Sequence, residues 1–566
     1  NDCKQREYKT IYIIIMDDKI SIIPLGGASD VTKNMYVYEY KNEIFIVDCG
    51  LGFANETMLG VDLLIPDISY LKSSGKKIVG MAISHGHEDH MGALPYILPE
   101  LPSFPVYATP LTAEFANSKL NEFGLTQRVQ KVEFNGGELK LGSFVISFIR
   151  ITHSVPDTSN IFIKTPVGNF YHGSDFKFDL TPYDGKKTEF KKISQAGDQG
   201  ILCLLSDSLR SEKAGRTPSE SKLTMAFEKA MEETEGKFLV TTYSSNISRL
   251  NQVIHAAMKL NRKICFIGRS VIKCKEIAQT IGYMNIPKGM EIEVKDLRNF
   301  KDKDLVLVVA GSQGQENSAL TRIVSDEFKE IKLRPQDTVV FSSEAIPGNE
   351  ISVNSLIDEI AKKGARAIYS EISEDFHVSG HGASEDLMLM MSLVRPQNVM
   401  PIGGTYRHMV AYKALAKKQG FKDENIFVAD NGQEIVFSKN GSHFGRRINL
   451  KNVFVDQISG EEVESFVLMD RQKIAKEGVV VVICEVEAES GQIVDNPNII
   501  ARGFPSQDAQ DLSKNLSREL RLALSRKKEQ VTNWIYIRRL IGEVSEKHIF
   551  KAFRKHPMVL PIVIEV

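Results

Sequence analysis

Ser84-His85-Gly86-His87-Glu88-Asp89-His90-Met91-Gly92 brings three imidazoles and two carboxylates into six consecutive residues. Neutral imidazole and carboxylate are the ligands zinc takes where no thiolate is at hand. A metal that keeps a water among its ligands is catalytic rather than structural. The run follows Ile78-Val79-Gly80-Met81-Ala82-Ile83, an apolar segment that reads as a buried strand, and precedes a helix-like stretch over 91–98. A strand end and a helix start can hold such ligands without one continuous helix. The plain alternative is a polar loop that happens to be rich in histidine; metal binding is the stronger reading.

At 566 residues the chain is too long for one hydrophobic core, so roughly two to four domains are expected. Its 42% hydrophobic and 25% charged residues are those of an ordinary soluble globular protein. Lys+Arg 71 against Asp+Glu 72 leave a formal charge of −1. A polyanion would therefore have to be met by a local basic patch, because the field of the whole chain offers no attraction. The six cysteines are scattered, with no Cys-x-x-Cys pair. This argues against a zinc ribbon or a disulfide framework and fits a reducing cytoplasm. The apolar segment 10–15 is far too short to span a bilayer. Asp17, Asp18 and Lys19 directly after it make a poor signal peptide. Residues 1–16 read as an extension, and the expected location is cytoplasmic, without membrane contact.

From Lys19 the pattern is rich in strands, at 20–24, Met35–Tyr40 and 43–48, with turns at Gly26-Gly27 and Cys49-Gly50. Strand-like segments at 144–151, 161–165 and 169–172, with a helix over 111–123, suggest a layered α+β domain. After Asp207 the rhythm becomes strand–helix alternation: helix 219–234 capped by Ser219, strand Phe238–Thr241, helix 248–260, and strands at 263–268 and 304–310. Such alternation points to an inserted parallel α/β domain. The chain returns to the first domain near His377, 451–465 reads as a linker, and 479–485, Ser506–Ser525 and 559–566 form a small α/β appendage.

His85-x-His87-x-Asp89-His90, His153 in Thr152-His153-Ser154-Val155-Pro156-Asp157, and Asp175 in Gly173-Ser174-Asp175-Phe176-Lys177 resemble the metallo-β-lactamase superfamily. Taken alone, His153 is a turn histidine and Asp175 a cap; as a set in this order they are specific. The resemblance implies an αβ/βα sandwich with a dinuclear zinc site at one edge. By position His85, His87 and His153 would hold the first metal, Asp89 and His90 the second, and Asp175 would bridge them. Two metals ~3.5–4 Å apart can clamp both oxygens of a phosphodiester displacement.

The insert narrows the resemblance. Leu205-Ser206-Asp207-Ser208 resembles the first extra motif of the β-CASP subgroup, the nucleic-acid-processing branch. Then come Thr217-Pro218-Ser219-Glu220, Ser244-Ser245-Asn246-Ile247, Gly268-Arg269-Ser270, Gly311-Ser312-Gln313-Gly314, Ile346-Pro347-Gly348-Asn349-Glu350 and His377-Val378-Ser379-Gly380-His381-Gly382. That series resembles the ribonuclease J family, and the tail agrees in Ala501-Arg502-Gly503-Phe504 and His556-Pro557-Met558-Val559-Leu560-Pro561. The expected architecture is α/β: an extension (1–16), a metallo-β-lactamase domain in two parts (17–205 and 376–450), an α/β β-CASP insert (206–375), a linker (451–466) and a small α/β C-terminal domain (467–566).

The family implies a ribonuclease that degrades RNA from a 5′-monophosphorylated end, also cuts internally, and acts in rRNA processing and mRNA decay. His377 would sit near the scissile phosphate, donating a hydrogen bond or a proton. Asp207 would orient a metal-ligating histidine, and Asp89 would serve the reaction as a ligand. Arg269 and Ser270 would meet a phosphate, and Ser244 and Asn246 the RNA backbone, although capping is a comparable role for the last two. Successive N–H groups of Ser379, Gly380, His381 and Gly382 would form an anion-binding nest. Self-association through the C-terminal domain, as a homodimer or homotetramer, is implied, with a paralogous subunit or an RNA-degradation complex as further partners. Arg538-Arg539 and 547–555, basic and aromatic around Trp534, Tyr536 and Phe550, read mainly as solvated helix faces, with RNA contact as the lesser reading.

One ligand is missing. The family places a histidine in Pro-x-His-Gly-Glu-x-Arg as the last ligand of the second metal, and here the segment is Pro401-Ile402-Gly403-Gly404-Thr405-Tyr406-Arg407. Gly403 offers no side chain, so two zinc ions per chain are expected with the second held weakly by Asp89, His90 and Asp175. Water or His408, five residues displaced, is the candidate to fill the gap, and manganese suits the same donors. The segment 26–35 also departs, with Ala28-Ser29-Asp30-Val31-Thr32 where the family usually has a Gly-Glu-Ile-Gly run. Three readings follow: an active nuclease with a weakened second metal, a catalytically weakened RNA-binding subunit, and a small-molecule metallohydrolase, against which the insert and the tail weigh.

Overall fold

Continuous β-branched and aromatic runs build two sheets that bury one face against each other. The computed structural model describes residues 18–54, 58–346, 348–456, 462–487, 493–525 and 534–566. The extension 1–16 and Pro347 of the Ile346-Pro347-Gly348 motif lie outside them. The first sheet has eight strands in the order Gly441–Arg447, Gln433–Ser438, Lys19–Gly26, Met35–Tyr40, Glu43–Val47, Lys77–Ile83, Val106–Ala108 and Val129–Lys131. The second has six, from Leu139–Leu141 through Phe144–Arg150, Ser159–Lys164, Asn169–Gly173 and Ile201–Asp207 to Pro396–Ile402. Ile22, Tyr38, Phe45 and Val47 of the first sheet share a buried core with Phe144, Ile161, Phe170 and Leu205 of the second. The second sheet's other face is covered by the helices Phe190–Asp198, Ser384–Val394 and Tyr406–Lys418, through Ile193, Leu387, Met390 and Tyr412. Helices outside two packed sheets make the αβ/βα sandwich.

The chain leaves this sandwich after Ile201–Asp207 and completes it on return. Pro396–Ile402 pairs in parallel with Ile201–Asp207, and Gln433–Ser438 pairs antiparallel with Lys19–Gly26. Between them lies a five-stranded, all-parallel sheet in the order Lys263–Ile267, Leu305–Val309, Phe238–Thr241, Thr338–Phe341 and Arg366–Ile368. Parallel strands buried on both faces read as unbroken apolar runs, as in Leu305–Val309, which is buried throughout. Open sheets of this kind bind ligands outside the carboxyl ends of their strands. Ser244, Arg269 and Glu344 all follow such ends.

Compact residues 54–63 and 453–566 form a second unit. Val479–Val486 is the middle strand of three, antiparallel to Asn498–Arg502 and parallel to Met558–Glu565. Val480, Val482 and Cys484 pack under the helices Ser506–Ser525 and Trp534–Phe553 through Leu512, Leu516, Leu520, Ile537, Ile541 and Ile549.

Several expected elements are corrected. The helix expected from Ser219 begins at Lys222, with Ser221 as its N-cap residue; Ser219 Oγ accepts the Ser221 N–H (3.2 Å) and donates to Thr181 O (2.9 Å). The helix-like stretch 91–98 resolves into the short helices Glu88–Met91 and Leu94–Ile97. Within the linker 451–466, Val453–Val455 pairs antiparallel with Glu462–Val463, whereas the basic, aromatic stretch at Trp534 is helical as expected, over Trp534–Phe553.

Candidate metal centre

The strand Lys77–Ile83 ends at the site, and the helix Glu88–Met91 starts in it, with His87 in extended conformation as its N-cap residue. His153 arrives from the turn after Phe144–Arg150, and Asp175 stands two residues past the strand Asn169–Gly173. Their donor atoms converge. His85 Nε2 lies 3.1 Å from His87 Nδ1, which lies 3.2 Å from His153 Nε2. Asp175 Oδ2 is 3.8 Å from His85 Nε2 and 3.9 Å from His153 Nε2. Four ligands at zinc's usual bond length of about 2.0–2.1 Å in a tetrahedron are spaced by roughly 3.3 Å. This set therefore fits one ion with little movement. Next to it, His90 Nε2 lies 3.2 Å from the same Asp175 oxygen and 3.6 Å from Asp89 Oδ2. Asp175 is common to both sets. It sits where a bridging ligand would be.

Each imidazole is oriented by its second nitrogen, as metal-site histidines are. His153 Nδ1 donates to Gly380 O (2.8 Å), and His90 Nδ1 donates to Asp48 Oδ2 (2.7 Å). His85 Nδ1 rests on Ser84 Oγ (3.0 Å), and Ser154 Oγ lies 3.1 Å from His87 Nε2. Asp48 also accepts from the Ser84 backbone N–H and hydroxyl, at 2.7 and 2.9 Å. Asn34 Nδ2 stands 3.2 Å from His90 Nε2; it belongs to the segment after Gly26 that departs from the family pattern.

Burial and the neighbouring imidazoles push His85 and His153 well below the ordinary histidine range, and burial brings His87 down to about 3. These three are neutral, the form that ligates. Burial opposes charge on His90 as well, but Asp175, Asp89 and Asp48 outweigh it and hold its pKa well above the ordinary value. Burial lifts Asp89 to about 6. Asp175 is held well below the carboxylate range, because His90 and His381 overcome the cost of its burial.

Asp207 and His381 join this centre. His381 Nδ1 donates to Asp207 Oδ2 (2.8 Å), and its Nε2 lies 4.0 Å from Asp175 Oδ2. Burial opposes charge on His381, yet Asp207 and Asp175 outweigh it and keep its pKa at about 9. The expected nest is corrected. The His381 N–H already meets Ser379 Oγ (3.2 Å), and the Gly382 N–H donates to Phe176 O (2.6 Å). A Cβ on Gly380 would lie 2.6 Å from the His153 ring, so this turn is packed against a ligand instead of open to an anion. His408 does not fill the gap at Gly403. Its Nδ1 accepts the Thr405 N–H (3.2 Å), and its Nε2 lies 3.7 Å from Glu212.

Among the other expected contacts, Ser244 Oγ and Ser270 Oγ are 2.9 Å apart, and Arg269 and Ser270 are exposed at the start of the helix Arg269–Thr280. Of its two expected roles, Asn246 takes that of a cap. It is fully buried, and its Oδ1 accepts the Arg249 N–H (3.0 Å) at the start of Ile247–Lys259. His377 lies 3.2 Å from Arg249 Nη1 and 3.7 Å from Glu344.

Sequence reasoning missed Asp48, Asn34 and Arg249, and it quoted Glu220 within Thr217-Pro218-Ser219-Glu220 without giving it a role. For Asp48 the sequence offers only an acid directly after the apolar run 44–47, which does not name its partners; the structure holds it at φ +66°. Arg249 carried no signal, since one arginine in an amphipathic helix reads as solvated.

Four family models match the chain. The metallo-beta-lactamase superfamily matches residues 29–178 and the ribonuclease J beta-CASP domain 235–360. The Zn-dependent metallo-hydrolase RNA specificity domain matches 371–429, and the ribonuclease J C-terminal domain 466–566. Ribonuclease J of Helicobacter pylori is 36% identical over 96% of this chain and 79% of its own. Ribonuclease J 1 of Streptococcus pyogenes is 34% identical over 98% and 99%, and ribonuclease J2 of Bacillus subtilis 31% over 97% and 99%. A protein of unknown function from Enterococcus faecalis V583 shares the fold at a TM-score of 0.54 and 16% identity, over 74% of this chain and 100% of its own. Similarity of this extent, together with the donor sets above, places the sequence among known relatives: the chain belongs to the ribonuclease J family.

Proposed function

We propose that this chain is a metal-dependent ribonuclease that hydrolyses RNA phosphodiesters, proceeding 5′ to 3′ from a 5′-monophosphorylated end and also cutting internally, in cytoplasmic RNA maturation and decay. The observation that carries this reading is the convergence of two donor sets on the single carboxylate of Asp175. His85, His87, His153 and Asp175 would hold one ion; Asp89, His90 and Asp175 would hold the other. Zinc suits the imidazole-rich first set, and manganese the carboxylate-richer second. Two such ions would supply Lewis acidity at the phosphodiester and ease deprotonation of the attacking water.

The chain's own residues do the rest. Asp48, Ser84, Ser154 and Gly380 O fix the ligating rings. Asp207 holds His381 by Nδ1 and leaves Nε2 directed at the centre, where it can give a hydrogen bond or a proton to a phosphoryl oxygen. His377, held beside Arg249 and Glu344, is a second donor. Arg269, with Ser270 and Ser244, offers a phosphate a charged fork and hydroxyl groups. Homodimers or homotetramers would form through residues 467–566. A paralogous subunit and an RNA-degradation complex are further partners. Among the described residues no helix is long and apolar enough to cross a membrane, and five free cysteines agree with a reducing compartment.

Gly403 favours one other reading, a catalytically weakened subunit whose main work is to bind RNA. Metal content per chain, with cleavage of a 5′-monophosphorylated RNA by wild type, Asp175→Ala and Gly403→His, decides between them. Two ions per chain and cleavage lost in Asp175→Ala support the nuclease. One ion, no wild-type cleavage and activity gained in Gly403→His support the weakened subunit.

A further inference from the structure

We propose that Arg249 is a positioning residue that fixes His377 as a neutral imidazole with its one proton on Nε2, so that His377 acts as a hydrogen-bond donor whose protonation does not change. The functional half of this rests on the ribonuclease reading; the tautomer does not. Arg249 Nη1 lies 3.2 Å from His377 Nδ1. A guanidinium has donors only and keeps its charge at every working pH. His377 Nδ1 must therefore accept, which leaves the ring proton on Nε2. That nitrogen faces the half-exposed Glu344 carboxylate, 3.7 Å away.

Arg249 cannot easily turn aside. Its side chain is fully buried, with Nη2 at 2.8 Å from both oxygens of Glu220. It also donates to Ser342 O (2.6 Å) and Val378 O (3.1 Å). It thus grips the backbone next to His377 as well as the ring. Glu220 is itself tied to Lys177 (3.2 Å), two residues beyond Asp175. The charged groups facing His377 are Arg249, Lys177 and Arg210 on one side and Glu220 and Glu344 on the other. Burial first, and Arg249 next, push its pKa down to about 3, in agreement with the hydrogen-bond geometry.

The test uses the full chain with ¹⁵N-labelled histidine, and the His377 ring is assigned by its loss in His377→Gln. Expected is an Nε2–H tautomer whose ring nitrogens do not shift between about pH 5.5 and 8.5, where an ordinary histidine titrates. A wild-type ring that titrates in that range, or that carries its proton on Nδ1, overturns the proposal whether or not any variant folds. In Arg249→Met the Nε2–H tautomer should no longer be fixed, and the ring should take up a proton at higher pH than in the wild type, because burial still opposes the charge but Arg249 no longer does. On RNA, that variant should lose kcat more than KM and change the shape of its pH profile relative to the wild type. Loss by one factor at every pH overturns the positioning role. If the wild type cleaves no RNA, the ribonuclease reading fails, and the spectra alone decide the state of His377.

Discussion

A Cβ placed on Gly403 would lie 3.4 Å from Asp175 Oδ1 and 3.9 Å from Asp207 Oδ1, so a side chain there would reach the second donor set. The backbone at 403 has φ +63°, and a non-glycine residue there costs about 1–2 kcal/mol. We expect Gly403→His to lower the stability of the metal-free protein by that amount in urea unfolding. We also expect it to tighten the second ion by at least tenfold, measured by chelator competition; unchanged affinity would mean that the second site does not lack this ligand. Asp175 is the opposite case, since both sets depend on it. Asp175→Ala should lower metal content below one ion per chain and cleavage by about 10³-fold, the equivalent of roughly 4 kcal/mol of lost stabilisation. Asp48 touches no ion, but it holds His90 and Ser84. Asp48→Ala should weaken the second metal by about 10–100-fold, and a first metal unaffected in the same titration would confirm which set it serves. The ligands were legible in the sequence because histidines and acids at fixed spacing need only one strand–helix junction to converge. Asp48 and Asn34 were not, because their neighbours are fixed only when the first sheet forms.

At the scale of elements, the site is held by a buried ionic chain running from Lys177, after Asp175, through Glu220 to Arg249 on the helix Ile247–Lys259. Burial alone would raise the Glu220 carboxyl; Arg249 and Lys177 reverse that and bring it down to about 2 from 4.5. An acid depressed on folding stabilises the native state above its unfolded pKa, and that contribution drains away as pH falls from 4.5 towards 2. Glu220→Gln leaves two cations buried without their carboxylate and should cost about 3–5 kcal/mol near neutral pH. The gap to wild type should narrow by about 1.4 kcal/mol at pH 3.5. Urea unfolding of chelator-treated protein at both pH values checks this, and a gap that stays constant would refute the assignment. Strands of unbroken apolar residues, such as Phe238–Thr241, could be read directly because a parallel sheet buries both of their faces. The start of the helix Lys222–Glu233 could not, since the segment before it is held by Ser219 donating to Thr181, thirty-eight residues away. The helix Trp534–Phe553 was legible as a solvated helix, but its exposed charges hid the buried face that Ile537 and Ile541 form one turn apart.

For the whole molecule, the second unit presents a surface that its own core does not explain. Side chains alternate across a strand, so the face opposite the helices carries Val481, Ile483, Ile500, Leu560, Ile562 and Ile564. The register stacks Val481 between Ile500 and Leu560, and Ile483 beside Ile562. Leu560, Ile562 and Ile564 are each 43–44% exposed and lie on a strand at the edge of the sheet. Exposed apolar strands at a sheet edge are templates for pairing and are seldom left bare. This face supports the self-association proposed for residues 467–566. Deleting those residues should lower both the oligomeric state and the cleavage rate. A gentler variant, Ile562→Glu with Ile564→Glu, should dissociate the assembly and leave metal content unchanged, because the donor residues all lie in the other unit. Light scattering after size exclusion, with metal analysis of the same peak, reads both quantities. A truncated chain that keeps its mass ratio and its activity would remove this face from the assembly, and the apolar register would then need another occupant.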